Sequence, residues 1–320
     1  MGLVVYAPAS TANVSVGFDS LGAALAPIDG SLLGDRIFVE VMSSGDVLIE
    51  NTGPFADKLP ADPKKNILYD CYFAFRDLLD KVHQRELSPC RMVLEKNLPV
   101  GTGLGSSACS VVAALEALNA LCDYPFDKDQ MLTLMGELEG QISGSVHYDN
   151  VAPCYLGGMQ LMVQDGGVIS QAIPHFEDWY WVLAYPGTAI STSAARSILP
   201  AQYRRQDTLA FGRNLASFVH ASYSKQPELA AAVLKDVIAE PYRSQLIPRF
   251  DEVKDYVSRS GALGCGISGS GPTVFIVTPV LEQAQRISRW MEENFLQNDQ
   301  GFCHICKIDP EGTRVTGNSL

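Results

Sequence analysis

The chain has 320 residues, of which 47% are apolar and 19% charged, a composition that folds around buried cores rather than staying disordered. Its net charge of −12 argues against nucleic acid or an anionic membrane as partner, since both are met by basic surfaces. It leaves room for a nucleotide, whose phosphates backbone N–H groups can hold locally. No uncharged apolar run is long enough to cross a bilayer, and the best candidate, residues 111–121, contains Glu116 and Asn119. The first 35 residues carry no Lys or Arg, so the positive region of a secretory signal peptide is missing. Tyr6 stands where N-myristoylation after Met1-Gly2 needs Ser or Thr. The expectation is a cytoplasmic protein of two domains.

In chain order, residues 3–7, 36–42, 46–50 and 92–96 read as strands. Ile67, Cys71, Phe75, Leu78, Leu79 and Val82 recur at helical spacing over residues 67–83. Val111, Leu115, Leu118 and Cys122 mark a buried helix face over 109–122. Residues 152–163 read as a strand around the Gly157-Gly158 pair, and the Asp165-Gly166-Gly167 turn is the expected division between domains, 1–166 and 167–320. A strand at 180–185 follows, then helices at 206–223, 227–239 and 247–258. A glycine-dense loop, a strand at 274–278, a helix at 281–295 and a last strand at 302–308 complete the order. The mixed order predicts an α+β class rather than regular βαβ units.

The eight cysteines are scattered among apolar neighbours and resemble reduced core thiols more than a disulfide framework. In Cys303-His304-Ile305-Cys306, the two sulfurs lie three residues apart on a strand and so face opposite ways, which opposes a shared metal.

The chemistry concentrates between the strand at 92–96 and the helix that follows. There the chain reads Pro99-Val100-Gly101-Thr102-Gly103-Leu104-Gly105-Ser106-Ser107-Ala108-Cys109. Three alternating glycines let the backbone approach a ligand closely, and the helix start offers unpaired N–H groups and a positive dipole end. A phosphate is the natural guest, although a flexible loop before a helix has the same composition. The loop is not a Walker A motif, because the chain contains no Gly-Lys pair. Nor is it a Rossmann fingerprint, which needs glycine where Ser106 stands.

Two further small-residue motifs flank it, Ala7-Pro-Ala-Ser-Thr-Ala-Asn-Val-Ser-Val-Gly-Phe-Asp19 and Gly266-Ile-Ser-Gly-Ser-Gly-Pro-Thr273. Together the three motifs, in this order, resemble the signature set of the GHMP kinase superfamily over nearly the whole chain. The segments 12–19, 139–153 and 198–207 resemble its bacterial-type homoserine kinases. That resemblance implies an α+β, two-domain GHMP kinase fold. Its N-terminal part is a ribosomal-protein-S5-domain-2-like domain, and its C-terminal part a ferredoxin-like α/β sandwich domain.

The resemblance further implies that residues 99–109 wrap ATP and that Ser107 and Glu139 ligate Mg²⁺. Asn13, Asp19, His147, Asn150, Thr192, Arg196 and Arg243 would surround L-homoserine, with Asp19, Asn150 and Arg196 as the catalytic set. Taken alone, Glu139 also fits a solvated helix position, His147 a structural histidine, and either arginine a surface residue. Aspartate bases of mevalonate-kinase-like relatives have no counterpart in Gly187-Thr-Ala-Ile-Ser-Thr192. A homodimer is consistent with the resemblance. Three other functions stay open: a GHMP kinase for another alcohol, a non-catalytic ATP-binding regulator, and, weakened by the misplaced glycines, a dinucleotide-dependent oxidoreductase.

Overall fold

The computed structural model describes residues 2–144 and 146–318, so Met1 of the Met1-Gly2 pair and Ser145 of the 139–153 motif lie outside the description. The first half runs β1 (Gly2–Pro8), β2 (Ser10–Ala12), β3 (Leu21–Pro27), β4 (Gly34–Val41), β5 (Val47–Thr52), α1 (Ile67–His83), β6 (Cys90–Glu95), α2 (Ser106–Leu121), α3 (Lys128–Ser143), α4 (Val151–Leu156), β7 (Met159–Asp165) and β8 (Val168–Ile173). The remainder runs β9 (Tyr180–Tyr185), α5 (Thr192–Ser197), α6 (Arg205–Ser224), α7 (Pro227–Val233), α8 (Glu240–Arg243), α9 (Phe250–Ser260), β10 (Gly264–Ile267), β11 (Val274–Thr278), α10 (Leu281–Asn294), β12 (Phe302–Ile308) and β13 (Arg314–Gly317).

Two sheets organise these elements. The first has the order β13-β1-β4-β6-β5, antiparallel except for the parallel β5–β6 pair. The second has the order β10-β11-β9-β12-β3-β7-β8, with β2 paired to β3. Strand β3, from early in the chain, pairs with β12, so the second sheet joins both halves. The Asp165-Gly166-Gly167 turn is the tip of the β7–β8 hairpin inside that sheet.

Helix α2 lies at the centre, packed on β1 and β4 and against α1, α3 and α4. Every residue from Ser106 to Asn119 except Ser107 is buried, which explains a helix of small and apolar residues on all faces. One core fills the space between the first sheet, these helices and the second sheet. The other lies under α9 and α10 on the far face of the second sheet. Strand β11 is buried throughout and alternates between the two, Phe275 and Val277 entering one, Val274 and Ile276 the other. Likewise Cys306 enters the first core and Cys303 packs against the second, so their sulfurs face opposite ways.

Three expectations are corrected. Residues 151–156 form a helix, not a strand; Pro153 is tolerated in its first turn, and the true strand begins at Met159. The helix expected over 227–239 stops at Val233. Beyond it the Asp236 carboxylate accepts N–H groups of Ile238, Ala239 and Glu240, an Asx-type arrangement that opens α8 instead. The helix expected from 247 starts at Phe250, after Arg249 takes a left-handed conformation at φ +54°.

Candidate active site

Helix α2 starts without a side-chain cap. Its first flanking residue, Gly105, sits in the left-handed region at φ +64°, and no hydroxyl or carboxylate caps the first turn. The N–H groups of that turn therefore face outward, available to an anion. Gly103 is required by space as well as by its φ of +79°. A Cβ there would lie 2.3 Å from the Ser268 carbonyl oxygen and 2.8 Å from the Gly271 nitrogen. The central and C-terminal glycine motifs are thus interlocked, and the Ser268 hydroxyl also donates to the Gly103 carbonyl at 2.7 Å.

The loop borders a continuous cavity of about 460 Å³. Its walls include Gly101, Thr102, Gly103, Gly105, Ser106 and Ser107. Not every residue of the 99–109 motif reaches it. Leu104, Ala108 and Cys109 are fully buried in the core. The N–H of Leu104 is taken by Thr102 Oγ1 (3.1 Å) and that of Cys109 by the Gly105 carbonyl (2.8 Å), so neither is free for phosphate. The Cys109 thiol donates to the Ala7 carbonyl at 3.0 Å. Pro99 is also buried and does not line the cavity.

Beneath the loop lies a charged group that motif reading missed. Lys96 and Asp35 form an ion pair at 2.5 Å whose side chains are 1% and 0% exposed. The Lys96 ammonium also donates to the Ser106 carbonyl (2.8 Å) and Ser110 Oγ (2.9 Å). Asp35 accepts from the backbone N–H groups of Asn97 (2.9 Å) and Leu98 (3.1 Å) and from Ser110 Oγ (2.7 Å). The pair therefore ties the residues before the loop to those after it. A lysine ending an apolar strand just before the loop was the only signal in sequence. Leu59, Pro60, Asn66 and Ile67 line one end of the cavity and belong to no motif.

Helix α3, started by an Asp127–Gln130 capping box, brings Glu139 to the α2 N-terminus. Ser107 Oγ donates to Glu139 Oε1 at 2.7 Å. Burial raises the Glu139 carboxyl to about 7, a rise that the Ser107 hydrogen bond opposes and nearby Asp149 reinforces.

At the other end, the tight turn between β2 and β3 places Asn13 and Asp19. Asn13, Val14, Ser15 and Asp19 all have positive φ, an uncommon cluster for non-glycine residues. Asn13 holds the turn: its carbonyl oxygen accepts from the Asp19 N–H, and its amide donates to the Gly269 carbonyl, both at 3.0 Å. The Asp19 carboxylate receives Arg196 through Nη2 (2.9 Å) and Nη1 (3.3 Å), a bidentate pair. Arg243 is buried and donates to the Ala195 carbonyl (3.0 Å) and the Gly269 carbonyl (2.9 Å), fixing α5 to the C-terminal glycine motif. Asn150 accepts from Ser10 Oγ at 3.0 Å, and its Oδ1 lies 2.9 Å from the position of a Cβ on Gly105. It stands where the glycine loop meets the Asp19 end. His147, Asp149 and Thr192 line the same cavity. Burial, assisted by Asp19, raises the Asp149 carboxyl to about 7, and burial beside Arg196 lowers the His147 imidazole.

The cavity thus has a strand–glycine loop–helix cradle at its centre and opposed charges at one end. The family model for the GHMP kinases N terminal domain matches residues 66–158, and that for GHMP kinases C terminal matches residues 206–296. A crystal structure of homoserine kinase from Cytophaga hutchinsonii is 33% identical, covers 98% of this chain and 97% of its own, and superposes with a TM-score of 0.88. The chain belongs to the GHMP kinases. It is accordingly a phosphotransferase of the α+β GHMP fold, a family that uses ATP as co-substrate. Two further structures share the fold. A Listeria monocytogenes protein assigned as a homoserine kinase is 22% identical, with a TM-score of 0.71 and coverage of 98% and 99%. The L. major mevalonate kinase in complex with R-mevalonate is 15% identical, with a TM-score of 0.68 and coverage of 98% and 96%. Among the described residues, no helix is long and apolar enough to cross a membrane.

Proposed function

We propose that this GHMP kinase moves the γ-phosphoryl of ATP to the side-chain hydroxyl of L-homoserine, giving O-phospho-L-homoserine and ADP. The observation that carries the reading is the pairing of acid and base at the far end of the cavity. Asp19 and Arg196 offer one anionic and one cationic contact beside Asn13 and Asn150, which suits an acceptor bearing both an ammonium and a carboxylate. The likeness to the Cytophaga hutchinsonii homoserine kinase supports the same acceptor. A purely anionic alcohol such as mevalonate would draw Arg196 away from Asp19 without offering that carboxylate a cation in exchange.

The triphosphate lies along Gly101–Ser107, held by the open N–H groups of α2. The donors fit Mg²⁺: Ser107 Oγ and Glu139 Oε1 are hard oxygens 2.7 Å apart, and the buried carboxyl of Glu139, raised to about 7, would be stabilised as the anion by a cation bound there. When bound, Mg²⁺ neutralises charge on the phosphate oxygens. Asn150, next to Gly105, orients the acceptor hydroxyl toward the cradle. The carboxylates lining the cavity are Asp19, Glu139 and Asp149, and segment 187–192 adds none. Asp19 is committed to charge pairing, so transfer relies on positioning and charge neutralisation rather than a dedicated strong base. A coupled ADP-release assay over L-homoserine, mevalonate and shikimate tests the proposal. Turnover of homoserine above the other alcohols is expected, and no stimulation by homoserine refutes it.

A further inference from the structure

The residues proposed to meet the acceptor's two charges already satisfy each other. Arg196 Nη2 and Nη1 reach Asp19 Oδ1 and Oδ2 at 2.9 Å and 3.3 Å, with side chains 29% and 31% exposed along the cavity. Asp19 is fixed in a strained turn braced by Asn13, so its carboxylate has little freedom to follow a ligand. Arg196 sits on α5, which Arg243 ties down at the Ala195 carbonyl, so the long Arg196 side chain, 29% exposed, is the member of the pair with rotamers to spare. The surroundings supply little replacement charge. Arg243 Nε and Nη1 are committed to backbone carbonyls, burial disfavours charge on Asp149, and His147 Nδ1 stands 4.0 Å from Asp19 with its imidazole held low.

We infer that the Asp19–Arg196 ion pair is a specificity latch that opens at low cost only to an acceptor delivering an ammonium and a carboxylate together. This rests on the homoserine reading and deepens it. A zwitterion exchanges one ion pair for two. An acceptor with a single charge breaks the pair and strands either Asp19 or Arg196, so rejection comes from the group left behind as well as from the missing contact. The latch makes a prediction that simple contact loss does not: removing one member of the pair improves the acceptor that uses the other. With Asp19→Asn, Arg196 is free for a carboxylate and nothing is stranded.

The experiment uses the full chain with three acceptors: L-homoserine, 4-hydroxybutyrate without the ammonium, and 3-amino-1-propanol without the carboxylate. For the wild type, both single-charge acceptors are expected to have kcat/KM lower than homoserine by about 100-fold or more. In Asp19→Asn, kcat/KM for 4-hydroxybutyrate should rise about fivefold or more while that for homoserine falls. Arg196→Gln should show the mirror image with 3-amino-1-propanol, and serves if the first variant fails to fold. A fall for the single-charge acceptor in parallel with homoserine in both variants overturns the latch. Calorimetric binding of 4-hydroxybutyrate in the presence of a non-hydrolysable ATP analogue reads the same gain without turnover. Tighter binding to Asp19→Asn than to wild type supports the latch, and equal or weaker binding overturns it. Wild-type inactivity toward homoserine would count separately, against the proposed acceptor.

Discussion

Lys96→Met tests whether the buried ion pair under the phosphate loop matters to both stability and nucleotide binding. The substitution removes the cation from a pair that is 1% and 0% exposed and leaves Asp35 charged in the core. Breaking a buried pair from one side costs about 3–5 kcal/mol. Asp35 would keep three donors, the N–H groups of Asn97 and Leu98 and the Ser110 hydroxyl, which places the loss near the lower end, about 3 kcal/mol. For a chain of 320 residues each kcal/mol moves Tm by about 1.5 °C, so a fall of about 4–5 °C accompanies that loss of stability. Urea unfolding followed by circular dichroism measures it. The Ser106 carbonyl also loses its lysine donor, so the loop's far end is released and ATP Kd by calorimetry should rise about tenfold. The double variant Lys96→Met/Asp35→Asn, which strands no charge, should recover about half of the lost stability or more. A single-variant loss below about 1 kcal/mol, or a double variant less stable than the sum of its parts, refutes the reasoning.

Glu139→Gln should change how stability depends on pH. The Glu139 carboxyl stands at about 7 in the folded protein against 4.5 in the open chain, so its contribution is full below pH 4.5 and is lost as pH rises through 7. The variant should therefore unfold with a shallower pH dependence between pH 5 and 7.5 in metal-free buffer, gaining at most about 3 kcal/mol at pH 8; an unchanged slope counts against the burial argument. Gly103→Ala and Gly144→Ala both impose a left-handed alanine, but only at Gly103 does the Cβ strike backbone. Thermal scans should show about 1 kcal/mol lost at Gly144 and about 3 kcal/mol or more at Gly103, with ATP binding weakened only at Gly103; equal losses would mean the interlocked loops yield. Arg243→Lys loses the fork that reaches both the Ala195 and Gly269 carbonyls. Acceptor KM should rise about tenfold or more with ATP KM little changed, and a rise confined to ATP would contradict that role.

Much of the site was legible because each motif is a local string of small residues beside a change of hydrophobic period. Helix α1 has the bounds that its spacing gives, and the glycine loop stands between the strand and helix its composition demands. What was not legible depended on contacts between distant strings. Asp35 lies on β4 and Lys96 directly follows β6, and only the pairing of those two strands brings lysine, aspartate and loop together. Strand β3 is rich in Ala and Leu and poor in β-branched residues, so propensity gave no sign that it would join the halves. Residues 151–156 are all buried but for Leu156, and a short apolar run of that kind reads equally as strand or helix. The Leu59–Ile67 wall carries no motif, and its place in the cavity comes from the turn preceding α1.

The pairing of β1 with β13 reaches beyond the static fold. Val5 sits opposite Val315 and Tyr6 opposite Arg314, so strand β1 is completed by a strand made more than 300 residues later. Until then β1 presents an unpaired edge next to the element from which the acceptor turn emerges. Vectorial synthesis therefore leaves that edge of the first sheet open to unwanted pairing while the residues between β1 and β13 are made, and it closes only once the chain is made through Gly317. Chains halted before Arg314 should be captured by chaperones and cut by protease far more readily than chains carrying the four residues of β13.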